Sequence, residues 1–220
     1  MPEPTTVALF GTGMGALLIQ FARRQYRRGK DLFDRTVGAI LLVMFAPVIG
    51  VLALLVKVTS RGPAFYRQER VGQNGRTFTI IKLRTMRTDA EAATGPVWAM
   101  KKDSRVTPVG AILRRTHLDE LPQLWNVVRG EMSLVGPRPE RPYFVQHLRE
   151  VIPGYEARLA VKPGITGLAQ VRAGYDHELR DVRRKLKLDL LYIRRMCWWV
   201  DFSILARTLA KLTGYGGKGG

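Results

Sequence analysis

Residues 37–56 read VGAILLVMFAPVIGVLALLV, twenty positions without a charged side chain and with Pro47 at their midpoint. As a straight helix rising about 1.5 Å per residue, such a run reaches across a hydrocarbon core of about 30 Å. Two features complicate a simple crossing. Pro47 lacks a backbone donor, so the carbonyl of Val43 loses its helical partner. Lys30 and Arg35 precede the run while Lys57 and Arg61 follow it, and basic flanks favour the cytoplasmic side of a membrane. A helix that breaks at Pro47, dips into the bilayer and returns satisfies both facts, because two half-helices keep nearly all backbone bonds internal. A proline-kinked spanning helix satisfies only the first. Residue physics leaves both readings open.

Upstream, Val7 to Ala22 is apolar and runs directly into Arg23-Arg24-Gln25-Tyr26-Arg27-Arg28. A secretory signal carries its charge before the apolar core, not after it. The stretch is sixteen residues long and holds Gly11, Gly13 and Gly15, whereas a full span needs about 20 good helix formers. It reads as a marginal membrane segment with a cytoplasmic basic flank, or else as a buried or surface helix.

Across the whole chain, 36 Lys and Arg face 18 acidic residues, a formal charge of +18. That excess points to polyanionic partners: an anionic lipid surface, phosphorylated substrates or nucleic acid. No helix-turn-helix, zinc finger or aromatic RNA-binding signature accompanies it, so nucleic acid is not favoured. Cys197 is the single cysteine, which excludes an internal disulfide, and no Cys/His cluster suggests zinc.

Downstream of Ser60 the chain turns polar. Ala64–Arg70 and Thr77–Leu83 alternate and carry aromatic and β-branched residues around Asn74-Gly75, which predicts a hairpin. Lys82, Arg84 and Arg87 then form a basic edge, and Asp89 to Trp98 reads as a loop or short helix. Thr107-Pro108 opens a helix leading into Arg114-Arg115-Thr116-His117-Leu118-Asp119-Glu120-Leu121-Pro122-Gln123-Leu124. Helical spacing of the leucines places Asp119 at a second helix N-terminus, with Glu120 about 100° away around the axis. Alone, this pair reads as an N-cap and a dipole complement.

Two stiff loops follow. Val135-Gly136-Pro137-Arg138-Pro139-Glu140-Arg141-Pro142 carries three prolines in six residues. It presents the Arg138 guanidinium with little entropy left to lose, which suits bidentate phosphate recognition. It also suits a plain rigid connector. Lys162-Pro163-Gly164-Ile165-Thr166-Gly167-Leu168-Ala169-Gln170 permits close backbone approach but matches no phosphate-loop pattern. His177 to Lys211 reads as two amphipathic helices, where Tyr192, Trp198, Trp199 and Phe202 gather near Arg194 and Arg195. Such a mixture suits a membrane–water interface.

Taken together, these motifs resemble the bacterial monotopic phosphoglycosyl transferases, the sugar-transferase family that primes polyprenol-linked glycans. The resemblance covers roughly Gly29 to Leu212. Beyond the segments above, it rests on Arg67-Gln68-Glu69-Arg70-Val71-Gly72 and Lys82-Leu83-Arg84-Thr85-Met86. It implies an α+β, mainly helical fold held by a re-entrant helix broken at Pro47, with a catalytic domain on the cytoplasmic face of the bacterial inner membrane. The expected division is a hydrophobic segment and linker at 1–29, a membrane helix at 30–60, a catalytic domain at 61–213 and a disordered tail at 214–220. The implied reaction moves a sugar 1-phosphate from a UDP-sugar to polyprenyl (undecaprenyl) phosphate with Mg²⁺, releasing UMP. By this resemblance Asp119 is the nucleophile and lies by the metal, and Glu120 supports it. Arg114 and Arg138 stand near the phosphates with Lys82 and Arg84, while Lys162, Gly164, Thr166 and Gln170 line the nucleotide pocket. Homo-oligomers and anionic lipid contacts fit the same picture. Ala46 stands where well-known small members have Ser, and Val171-Arg172-Ala173-Gly174 replaces their Asn-Gly. The competing reading is a basic membrane-surface or nucleic-acid-binding protein whose carboxylates are only structural.

Overall fold

The computed structural model describes residues 4–91, 95, 103–173 and 179–213, with side chains from residue 25 onward. Most of the segment expected as a loop after Asp89 falls outside those residues, as do His177 and the tail at 214–220.

Helix α1 runs from Pro4 to Thr59 with Pro47 inside it. The two membrane segments expected separately, and the break expected at Pro47, give way to one uninterrupted helical stretch. The linker between them is made of good helix formers such as Arg and Gln. Pro47 still costs the Val43 carbonyl its partner, but both residues lie on the outward, exposed side.

From Tyr26 to Val56 the inward side packs on the rest of the protein. Asp34, Gly38, Ile49 and Val56 are buried, with Leu41, Phe45 and Leu52 partly so. This spacing of three and four residues marks one helix face. Gly38 lets α1 approach α3 (Leu124–Val128) closely, since a Cβ there would stand 3.0 Å from the Val127 side chain. The opposite face leaves Ile40, Val43, Met44, Val51, Leu54 and Val58 more than half exposed.

The predicted hairpin forms: β1 (Phe65–Val71) and β2 (Thr77–Leu83) pair antiparallel, with Asn74 and Gly75 both at positive φ in the turn. Helix α2 (Pro108–Thr116) starts as expected, Thr107 Oγ1 accepting from the Gly110 amide at 3.0 Å. Strands β3 (Ser133–Val135) and β4 (Gly164–Thr166) form a parallel pair, an element the sequence did not announce. Gly164 is required there, because a Cβ on it would collide with the backbone of Gly136. Helix α4 spans Pro142–Val151, α5 Leu168–Arg172, α6 Leu179–Arg195 and α7 Trp198–Leu212.

The main core gathers Ile80, Leu124, Val127, Leu134, Tyr192 and Ile204 under α1. Beside it sits a buried ionic knot. Lys30 Nζ lies 2.8 Å from Asp201 and 3.2 Å from Asp34. Tyr26 and Tyr192 donate to Asp201 at 2.6 and 2.8 Å, and Ser133 donates to Asp34 at 2.6 Å. Two buried carboxylates so paired fix the angle of α1 against α6, α7 and β3, since any other docking leaves a charge unpaired.

Candidate active site

The site forms where β2, the turn after α2 and the proline-rich loop meet. His117 ends α2 in the left-handed region at φ 56°, and Leu118–Gln123 then coils as a 3-10 helix. The expected α-helical start with Asp119 as N-cap is not what forms. Pro122 sits inside the turn and no side chain caps it. At about three residues per turn, Asp119 and Glu120 diverge by about 120° rather than 100°.

That divergence separates their surroundings. Glu120 Oε1 accepts from Lys82 Nζ at 2.7 Å and from Arg138 Nη2 at 2.8 Å. Burial pushes the Glu120 carboxyl up, but the charges of Arg138 and Lys82 outweigh it and hold the pKa far below the usual carboxylate range. The same pairing keeps Arg138 firmly protonated, whereas burial pulls Lys82 down against the pull of Glu120. Asp119 is 8% exposed, and its carboxylate has no hydrogen bond or ion pair among the described residues. Burial, then the charge of Glu120, raises its pKa, and Lys82, Arg114 and Arg138 pull it back. The result is a buried carboxylate without a described partner, facing the charges of Lys82, Arg114 and Arg138.

Arg138 stands on a pinned loop. Its four consecutive carbonyls from Pro137 to Glu140 each accept a hydrogen bond, from Gly164 N, Arg158 Nη2, Arg70 Nη1 and Val71 N at 2.8–3.0 Å. Arg114 leans on Thr85, its Nε donating to Oγ1 at 2.8 Å.

The sequence, too, carries a family signature. The bacterial sugar transferase family matches residues 25–214. The chain belongs to that family.

Among relatives, the chain is 39% identical over 206 residues to the UDP-N-acetylgalactosamine-undecaprenyl-phosphate N-acetylgalactosaminephosphotransferase of Aeromonas hydrophila, covering 93% of this chain and 48% of that protein. It is 42% identical over 187 residues to the UDP-glucose:undecaprenyl-phosphate glucose-1-phosphate transferase of Xanthomonas campestris pv. campestris, covering 84% of this chain and 39% of that one. The chain thus spans less than half the length of these two relatives. The exopolysaccharide production protein PSS of Rhizobium leguminosarum bv. phaseoli is 39% identical over 186 residues, which make up 82% of this chain and 92% of PSS.

Within this sugar transferase family member, the expected site residues divide. Asp119, Glu120, Lys82, Arg114 and Arg138 come together. Arg84 does not join them: it is buried and donates through Nη2 to the Ser60 carbonyl at 2.9 Å and through Nη1 to the Arg61 carbonyl. It secures the turn that leaves α1, satisfying two carbonyls just beyond Thr59. Lys162 turns to Asp31 on α1, and Thr166 shares a 2.8 Å hydrogen bond with Thr208 on α7. The Gly164 amide holds the Pro137 carbonyl. Gln170 donates to the Ile165 carbonyl at 2.8 Å and borders a cavity of about 40 Å³ shared with Arg138, Arg158 and Asp189. Arg158 and Asp189 escaped the sequence reading. Their signal is an aspartate in phase with Val182, Leu186 and Tyr192 on the inward face of α6.

Proposed function

We propose that this protein transfers a sugar 1-phosphate from a UDP-sugar to undecaprenyl phosphate, releasing UMP through a phosphosugar–aspartate intermediate. The observation that carries the reading is the contrast between Asp119, buried without a described partner, and Glu120, committed to Lys82 and Arg138. The names of the relatives point to the same substrates.

An oxygen of Asp119 attacks the sugar-bearing phosphorus of the donor. The bond to the bridging oxygen breaks, and UMP leaves with that electron pair. An oxygen of the lipid phosphate then attacks the same phosphorus, forming the lipid diphosphate and returning Asp119 to its carboxylate. Lys82, Arg114 and Arg138 lower the repulsion between the anionic nucleophile and the phosphate oxygens. Glu120 neutralises part of this cationic charge and orients two of its bearers.

For Mg²⁺, the described residues hold no cluster of three or more His, Cys, Asp or Glu side chains. One unengaged carboxylate does suit an ion carried mainly by substrate phosphates and water, the usual habit of Mg²⁺. Asp119 would hold it, and when bound it supplies further neutralisation of the phosphate charge.

The membrane reading rests on α1. Both ends of its apolar run pack on the same catalytic body, Asp34 through Ser133 and Val56 through Leu83 and Leu113. Its outer face, together with Trp199, Phe202 and Leu209 on α7, exposes a long apolar surface of the kind that marks an interaction site. We read α1 as dipping into the cytoplasmic leaflet and both its flanks as cytoplasmic.

The test is covalent capture. Purified protein is incubated with a panel of UDP-sugars labelled in the sugar, without lipid. Label should survive denaturation, be released by hydroxylamine, and be absent from Asp119→Asn. An active wild-type protein that retains no label, or label that persists in Asp119→Asn, overturns the mechanism.

A further inference from the structure

We propose that Arg158 is a positioning residue that sets where Arg138 stands against the donor phosphates; this rests on the reading of Arg138 given above. Arg158 is 7% exposed and fully engaged. Its Nε and Nη2 lie 2.9 and 2.8 Å from Asp189 Oδ2 on α6, and Nη1 donates to the Tyr155 hydroxyl at 2.8 Å. The guanidinium also lies over the Tyr155 ring, 5.3 Å from its centre. These contacts alone would satisfy a structural ion pair. The remaining one reaches the site: Nη2 donates to the Arg138 carbonyl at 2.8 Å.

That carbonyl is the single polar group of the Arg138–Pro139 peptide, because proline offers no N–H. Pro139 also confines Arg138 to extended backbone. What prolines cannot set is the rotation of this peptide plane against the rest of the protein, and Arg158 sets it by a charge-assisted hydrogen bond. The plane carries the Arg138 Cα, and so the direction in which its guanidinium leaves the loop. Asp189 and Tyr155 hold Arg158 charged against the pull of burial. A chain of contacts thus runs from α6 through Asp189 and Arg158 to Arg138, and on to Glu120. A small displacement at such a group costs disproportionately in rate, since catalysis depends on near-attack geometry.

Arg158→Ala would strand Asp189 as a buried unpaired carboxylate and destabilise the fold for that reason alone. Two other variants separate positioning from folding. Arg158→Lys keeps a charge facing Asp189 but loses the fork that reaches Arg138. Arg158→Met with Asp189→Leu removes the buried charges together, an exchange that cores often accept. Full-length protein in nanodiscs is assayed for UMP release with undecaprenyl phosphate and the UDP-sugar that wild type turns over in the labelling panel. Arg158→Lys should lose roughly tenfold in kcat/KM for donor, and the paired variant should do likewise while its melting temperature stays within a few degrees of wild type. In an Arg138→Ala background, Arg158→Lys should cost nothing further, since the residue it aims is gone.

Three results overturn the proposal. The first is wild-type kcat/KM in Arg158→Lys. The second is an equal loss from Arg158→Lys with and without Arg138, which marks a structural role and leaves the assignment of Arg138 standing. The third is wild-type kcat/KM in Arg138→Ala itself, which instead removes the reading of Arg138 as a phosphate ligand.

Discussion

Glu120 holds two cations, Lys82 at 2.7 Å and Arg138 at 2.8 Å, while the carboxylate of Asp119 beside it is paired with no described residue. The two pKa shifts have opposite signs, so the two residues act oppositely on stability. Asp119 is raised by burial and by Glu120. Its favourable contribution is therefore present below its unfolded value and lost as pH rises through the folded one, and at neutral pH the ionised group weakens the fold. Glu120 is held low by Arg138 and Lys82 against burial. Its contribution is present above the unfolded value and lost as pH falls through the folded one. In EDTA at pH 7, Asp119→Asn should raise the melting temperature and Glu120→Gln should lower it. Each shift should be a few degrees, since about 1 kcal/mol moves a domain of this size by about 2–4 °C. Asp119→Asn should also abolish UMP release. Thermal melts that fall for both variants would contradict the assignment of an unpaired nucleophile beside a clamped partner.

Arg84 should behave as a structural residue. Its guanidinium secures the turn that leaves α1 through the carbonyls of Ser60 and Arg61, and hydrogen bonds from a charged donor contribute about 1.5–3 kcal/mol. Arg84→Ala should lower the melting temperature by roughly 3–10 °C while KM for the donor stays within about twofold in the folded fraction. A large rise in KM with an unchanged melt would return Arg84 to the substrate site.

What the sequence made legible was what short-range rules control. Thr107-Pro108 as a helix start, Asn74-Gly75 as a turn and the alternation of β2 each depend on neighbours a few residues away. Asp119, Glu120 and Arg138 were singled out only by the family resemblance, since by residue type and spacing alone they read equally as a helix cap, a dipole complement and a rigid connector. The parallel pairing of β3 with β4 was not legible, since its partners lie about thirty residues apart and each strand has three residues. Nor was the fate of Arg84 and Lys162, which the docking of α1 decides. Asp34, Asp189 and Asp201 were legible in principle. Each stands in phase with apolar positions of its helix, the pattern of a buried pair, and each proves to have a cation against it.

Where β3 meets β4, the loops bearing Arg138 and Lys162 cross at glycine. A methyl group on Gly164 would collide with the backbone of Gly136, and backbone cannot swing aside as a side chain can. Gly164→Ala should therefore displace Pro137, whose carbonyl the Gly164 amide holds at 2.9 Å. The expected result is a loss of at least tenfold in kcat/KM with a lowered melt, because the loop bearing Arg138 moves along with the strand. Gly50→Ala, with nothing within 4 Å of the added methyl, serves as the control: it should leave kcat/KM unchanged and, being a helix-interior site, should not lower the melt. Unaltered kinetics in Gly164→Ala would mean that the loop tolerates this shift.

The membrane topology turns on whether one folded body can hold both flanks of α1. Its early part is tied by Lys30 and Asp34 to Asp201 and Ser133, and its end by Arg84 to Ser60. A helix crossing the bilayer would carry through the hydrocarbon the one folded body that grips both sets of contacts, and its buried charges with it, at a cost of several kcal/mol per ion. Both flanks should therefore face the cytoplasm. In a Cys197→Ser background, single cysteines replace the exposed residues Arg28 and Thr59, and intact cells are treated with a membrane-impermeant thiol reagent. Neither site should label until the cells are opened, whereupon both should. Pro47→Ala in the same background should restore the missing hydrogen bond to Val43 and so strengthen α1 at its midpoint. If that variant exposes one flank, the proline enforces the topology; if both flanks stay protected, the contacts to the folded body do. Labelling of either flank in the wild-type helix from outside would show that α1 spans the membrane.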